Sequence, residues 1–238
     1  MRVAVLLAGS GSSADFVRRA FGAALAGAGY GLVAPEPVPG PSLVPAAFAA
    51  LDDAVRREDV ALVGGVSLGA HVAVRWAADR SADAGIAGVL AALPAWTGPP
   101  GTVAAASERA AAEVERVGAD AAVARARAGG VRWVADELAA AWPRYGDALP
   151  ATLRAAAAAP GPDPAELART PVPVGIAAFR DDPLHPAGVA AEWATLLPRA
   201  AVEELTLADL AADRAPLGAA ALRAWSRAVR QRGAGPCR

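Results

Sequence analysis

GGVSLGAH, residues 64–71, is the stretch on which the reading of this chain turns. It holds Gly65, Ser67 and Gly69 in a Gly-x-Ser-x-Gly spacing, with the apolar run VALVGGV (60–66) leading into it and AHVAVRWAA, a helix-like segment, following. A serine between two glycines at a strand-to-helix junction fits a sharp turn. The backbone is strained at the serine, and side chains at 65 or 69 would run into the adjoining strand or helix. A hydroxyl presented in this way can serve as a nucleophile, but it then needs a histidine base. The chain has two histidines, His71 and His185.

The surroundings of the motif repeat its pattern. Six short apolar runs are bounded by Gly or Pro: RVAVLLA (2–8), YGLVAP (30–35), VALVGGV (60–66), IAGVLAALP (86–94), VPVGIAAF (172–179) and AVEELTL (201–207). They lack polar alternation, which marks strands buried on both faces of a parallel sheet. Helical spacing over 14–28, 44–58, 68–80, 187–197 and 214–231 supplies the covering layers that βαβ connections require. The fold class expected is therefore α/β, a mostly parallel six-stranded sheet with helices on both faces, as one unit over 1–238. Between the fourth and fifth strands the chain is too long for a single crossover. Helix-like segments at 102–128, 131–144, 147–158 and 163–168 make residues 95–170 a helical cap insertion.

Composition narrows the function classes. Charges are balanced at 23 basic and 24 acidic residues, with no long block of one sign, so nothing points to nucleic acid. All the basic residues are arginine, and no apolar run reaches the roughly 18 residues of a membrane span. Arg2 and the short apolar run Val3 to Ala8 lead straight into a glycine-rich turn, which suits a first strand better than a secretory leader. A cytoplasmic protein acting on small molecules is expected. The single cysteine, Cys237, excludes an internal disulfide and a cysteine-based metal site. Two isolated histidines make no metal cluster, and no cofactor fingerprint is present. The loop AGSGSS (8–13) could in principle cradle a phosphate, but it matches neither G-x-G-x-x-G nor a P-loop, and the chain has no lysine.

The elbow GVSLGAH, its strand–turn–helix context and the position of the cap resemble the α/β-hydrolase superfamily, the lipases and related esterases in particular. The resemblance covers nearly the whole chain as a reduced form of the fold and implies a sheet order 2-1-3-4-5-6. It implies an oxyanion hole built from the amide of Leu68 and one from AGSGSS, Ser10 first and Gly11 next. Ala8-Gly9 stands where that loop usually begins His-Gly, so the amides are kept and a positioning side chain is lost. The family's acid follows the penultimate strand, where FRDDPLHP (179–186) offers Asp182, ahead of a proline, with Asp181 as the alternative.

The family's base normally lies after the last strand, but TLADLAADRAPLG (206–218) contains no histidine. Asp209, Asp213 and Arg214 there are poor general bases, the carboxylates too weak and the arginine permanently protonated. His71 sits one turn into the helix after Ser67, and related lipases carry that histidine structurally. His185 has two readings, a displaced base in the acid loop or a residue that merely caps that loop. Trp96, in LPAWTGPPG (93–101), is the expected substrate contact, while Trp133, Trp142 and Tyr145 are as well explained by cap packing. The function expected is a serine hydrolase of small esters or thioesters, and the alternative is a non-hydrolytic member that binds a small apolar ligand.

Overall fold

The computed structural model describes residues 1–101 and 103–231, so Cys237 lies outside the described residues. Six strands, β1 (Val3–Leu7), β2 (Gly31–Val33), β3 (Val60–Val66), β4 (Gly88–Ala92), β5 (Val174–Phe179) and β6 (Ala200–Leu205), form one sheet in the order β2-β1-β3-β4-β5-β6. Every pairing is parallel, so the sheet is parallel throughout. β3, β4 and β5 are buried along their full length, as their unbroken apolar runs require.

Side chains alternate across the sheet with the two-residue period of a strand. Ala4, Leu6, Ala177 and Phe179 face a core shared with helices α1 (Ala14–Gly27) and α10 (Ala215–Arg230). Val5, Leu7, Val174 and Ile176 face the opposite core, shared with α2 (Leu43–Arg57), α3 (Leu68–Ala84) and α9 (Ala187–Leu196). Strand β6 closes one edge, half buried, with Glu203 and Glu204 on it. Charge on an edge discourages a further strand from pairing there.

The insertion between β4 and β5 contains α4 (Ala104–Val117), α5 (Ala119–Gly129), α6 (Arg132–Ala141), α7 (Leu149–Ala158) and α8 (Pro164–Ala168), with 3-10 turns at Trp142–Arg144 and Gly146–Ala148. One helix over 102–128 is expected from spacing, but the chain makes two. Gly118, at φ 82°, leaves the right-handed region and ends α4. The alanine-rich sequence on either side hides that break. The insertion has its own small core, in which Val114, Val123, Trp142, Tyr145, Leu149 and Leu153 meet. Trp142 and Tyr145 thus do pack the cap. The start of α8 is fixed by a capping box, Asp163 accepting from the Glu166 amide and Glu166 accepting from the Asp163 amide.

No helix among the described residues is long and apolar enough to cross a membrane.

Candidate active site

The fold brings Ser67, His185 and Asp182 together at the C-terminal ends of β3 and β5. Ser67 joins β3 to α3 with φ 54° and ψ −117°, a conformation that costs of order 1–3 kcal/mol for a residue with a side chain. The surroundings enforce it. A Cβ on Gly65 would fall 2.6 Å from the carbonyl oxygen of Leu7, and one on Gly69 would fall 2.5 Å from the same atom. Only hydrogen fits at either position, so β1 can lie against the turn and Ser67 is pushed out of line with it.

His185 Nε2 lies 3.1 Å from Ser67 Oγ, and Nδ1 lies 2.7 Å from Asp182 Oδ2. With the carboxylate accepting from Nδ1–H, Nε2 is left as the acceptor for the serine hydroxyl. Asp182 and His185 occupy one short loop, three residues apart. Its shape comes from Asp182 itself, whose Oδ1 accepts from the Leu184 amide at 2.8 Å and so folds the chain back until His185 faces its own acid. Burial penalises the Asp182 charge, but the hydrogen bond from His185 and the amides of Leu184 and His185 outweigh that and hold its carboxyl below the usual value. The group therefore stays ionised at neutral pH. Of the two sequence candidates for the acid, Asp181 has a different partner: its Oδ1 accepts from the Leu207 amide at 2.8 Å and ties this loop to the segment after β6.

That segment, where the resemblance led one to look for the base, is a 3-10 turn over Leu207–Leu210. Asp209 accepts from both the amide and the hydroxyl of Thr206, Trp133 Nε1 donates to the Leu207 carbonyl at 2.8 Å, and Arg214 donates to the Leu210 carbonyl. The turn is wholly engaged in structural bonds. Arg214 also stacks on Trp133, 4.7 Å from its ring centre, and pairs with Glu137 at 2.9 Å, so α6 of the insertion is anchored beside the site.

The loop after β1 passes close to the serine. Gly9 lies so near that a Cβ there would be 3.4 Å from Ser67 Cβ, and Ser12 donates its amide to the Gly9 carbonyl at 3.1 Å, closing a tight turn around Ser10 and Gly11. Neither the Ser10 nor the Gly11 amide donates to a backbone acceptor among the described residues, and the Leu68 amide, at the N-terminus of α3, is free in the same way. These are the amides the sequence suggested for an oxyanion hole. A helix N-terminus also favours negative charge. Behind the elbow lies a small apolar cleft, open to solvent, whose walls include Leu7, Ala8, Leu43, Leu68 and Val72, with Glu36 the carboxylate in its lining.

His71 is fully buried, and its Nε2 accepts from the Ala95 amide at 3.0 Å. It therefore holds the start of the insertion, as a structural residue does. Burial first, and then the charges of His185 and Arg75, lower its pKa to about 3. Because the unfolded chain binds a proton near the ordinary 6.5 and the folded chain does not until about 3, stability should decline as the pH falls through that window. In urea melts of the wild type and His71→Gln, the wild type should lose stability more steeply between about pH 6.5 and 4.5. Parallel slopes would mean that the buried imidazole is not the cause.

Trp96 is the residue from which a substrate contact is expected. It is only 9% exposed, its ring stands edge-on to His71 at 4.7 Å, and its backbone and ring crowd Gly161. With Ala95 and Ala104 it makes a small core at the foot of the insertion, and the contacts described for it are packing contacts. The bare pattern LPAWTGPPG carries no signal for this packing, because the partner His71 is distant in sequence. Among the described residues no three His, Cys, Asp or Glu side chains gather in a way that could hold a metal ion.

No protein-family model matches the chain, and no curated protein matches its sequence. Solved structures do match. A carboxylesterase structure from the thaumarchaeon Nitrososphaera gargenis superposes with a TM-score of 0.69 at 12% identity, over 87% of this chain and 82% of that one. An enol-lactonase from Burkholderia xenovorans LB400 gives 0.64 at 18% identity, over 86% and 83%. A bromoperoxidase from Bacillus anthracis gives 0.66 at 16% identity, over 87% and 84%. At such identities the likeness is one of fold.

Proposed function

We propose, from the premise that this chain has the α/β-hydrolase fold, that it is a serine hydrolase of small esters or thioesters whose base is displaced into the acid loop. The observation that carries this reading is the unbroken Asp182–His185–Ser67 relay, with 2.7 and 3.1 Å links. An isolated serine or a loop-capping histidine has no need of both links.

In the first step Ser67 Oγ attacks the carbonyl carbon while its proton passes to His185 Nε2, and Asp182 stabilises the imidazolium that results. The carbonyl oxygen becomes an oxyanion, received by the amides of Leu68 and Ser10, with Gly11 beside them. The carbon–oxygen or carbon–sulfur bond then breaks, and the leaving group takes the proton from His185. Water attacks the acyl-Ser67 ester, gives a proton to the same nitrogen, and the acid product departs as Ser67 regains its hydrogen. No cofactor enters these steps. The cleft bordered by Leu68 supports a small apolar acyl group, and the names of two neighbours, a carboxylesterase and an enol-lactonase, are in keeping with ester chemistry.

A fluorophosphonate reports an activated serine without knowledge of the substrate. The intact mass of the wild type should rise by one adduct, Ser67→Ala should stay unmodified, and His185→Ala should react slower by a factor of about 100 or more. An unmodified wild type would leave the fold as a binding scaffold for a small apolar ligand, the second reading of the sequence.

A further inference from the structure

The insertion grips the loop after β1 at the turn that carries the candidate oxyanion amides. Tyr145 is buried and donates its hydroxyl to the Ser12 carbonyl at 2.5 Å. Trp142, also buried, brings Nε1 to 3.2 Å from where a Cβ on Gly11 would stand, and that nitrogen has no hydrogen-bond partner. Leu153 and Leu138 complete the wall, 3.7 and 3.8 Å from the same point. Between the two aromatic residues Arg144 reaches outward, pairing with Asp15 of α1 and lying 3.6 Å from Glu36. The turn Gly9–Ser12 is thus held on one side by β3 and Ser67, and on the other by a segment more than a hundred residues further along the chain.

Such a grip matters because of what the loop lacks. Ala8, at the head of the loop, has no polar side chain to tie it down, and the turn's own backbone bonding amounts to Ser12 donating to Gly9. A glycine-rich turn with one internal bond is soft, whereas oxyanion donors act only if they are fixed before charge develops. Burial, and next the Glu36 charge, push the Tyr145 hydroxyl well above its ordinary pKa, so it remains a donor.

We propose that Tyr145 and Trp142 are positioning residues that set the Ser10–Gly11 amides for the oxyanion, so that the cap completes the catalytic site from outside the α/β core. The inference rests on the serine-hydrolase reading. Neither residue touches the reacting atoms. Tyr145 fixes the turn through the Ser12 carbonyl, and Trp142 fixes it by contact, close enough that a methyl group on Gly11 would have to displace the indole by a few tenths of an ångström.

The test compares wild type with Tyr145→Phe, which removes one oxygen and keeps the ring, and with Trp142→Phe and Gly11→Ala. Each is assayed for hydrolysis of p-nitrophenyl butyrate, for inhibition by an alkyl trifluoromethyl ketone, which forms an oxyanion on the serine, and for thermal melting. Loss of a whole oxyanion donor costs about 100- to 1000-fold. A donor left in place but loosened should cost less, about 10-fold in kcat, with KM within about twofold and the ketone binding about 10-fold weaker in step with kcat. A residue that only stabilises the fold would lower the melting temperature and leave kcat and ketone affinity per folded molecule unchanged. That result for Tyr145→Phe and Trp142→Phe, in a wild type whose Ser67 is labelled by fluorophosphonate, overturns the positioning role alone. An unlabelled and inactive wild type overturns the hydrolase reading and this inference with it.

Discussion

Ser67→Ala is expected to lower the turnover of an activated ester by roughly 10⁴- to 10⁶-fold, leaving what the bare oxyanion site and binding can supply. The size of the loss follows from the role: no other hydroxyl among the described residues has a histidine nitrogen within hydrogen-bond distance. The same substitution should hardly change the melting temperature. Alanine keeps the Cβ and must adopt the same φ of 54°, so the strain at the turn persists and only the oxygen is lost. Rates with p-nitrophenyl butyrate, measured beside a thermal melt, separate the two effects. Residual activity above about one hundredth of wild type would mean that a different group is the nucleophile.

His185→Ala should be nearly as severe, with a drop of roughly 10⁴-fold, and Asp182→Asn should cost about 10³- to 10⁴-fold by leaving the imidazole in the wrong tautomer. Since the two act as one unit, the double variant should be scarcely worse than His185→Ala alone. Added imidazole should restore part of the rate to His185→Ala, because the missing group is a diffusible base. Asp209→Ala provides the contrast. It lies in the loop where the family resemblance places the base, yet its carboxylate is spent on Thr206, and its removal should leave kcat within about twofold. A large loss in Asp209→Ala together with an active His185→Ala would reverse the assignment and return the chemistry to the segment after β6.

Much of this was legible in the sequence because it depended on local pattern. The strands announced themselves as uninterrupted apolar runs, and Gly65 and Gly69 marked a turn at which any larger residue would meet the Leu7 carbonyl. Asp182 and His185 stand three residues apart, so once the loop is placed after β5 their meeting is a local event, steered by the Leu184 amide. What stayed hidden was set by contacts between distant parts of the chain. Trp96 met His71, Tyr145 met Ser12, and Asp181 met Leu207, and in no case does either partner's neighbourhood name the other. The alanine-rich insertion concealed its own geometry too: with small side chains on every face, spacing cannot tell one long helix from two bent at Gly118.

The loop-borne pair also alters the order in which the site becomes available as the chain is made. In a ribosome's sequence of events, a base beyond the final strand arrives nearly last, so nucleophile and base are separated until synthesis is almost over. Here Ser67, Asp182 and His185 have all been made once synthesis reaches residue 185. The residues made afterwards supply β6, paired along the length of β5, and α10, which covers Ala177 and Phe179 on one face of the sheet. The late part of the chain supplies support for residues already made, so a polypeptide shortened after residue 185 should lose stability while still containing all three of them.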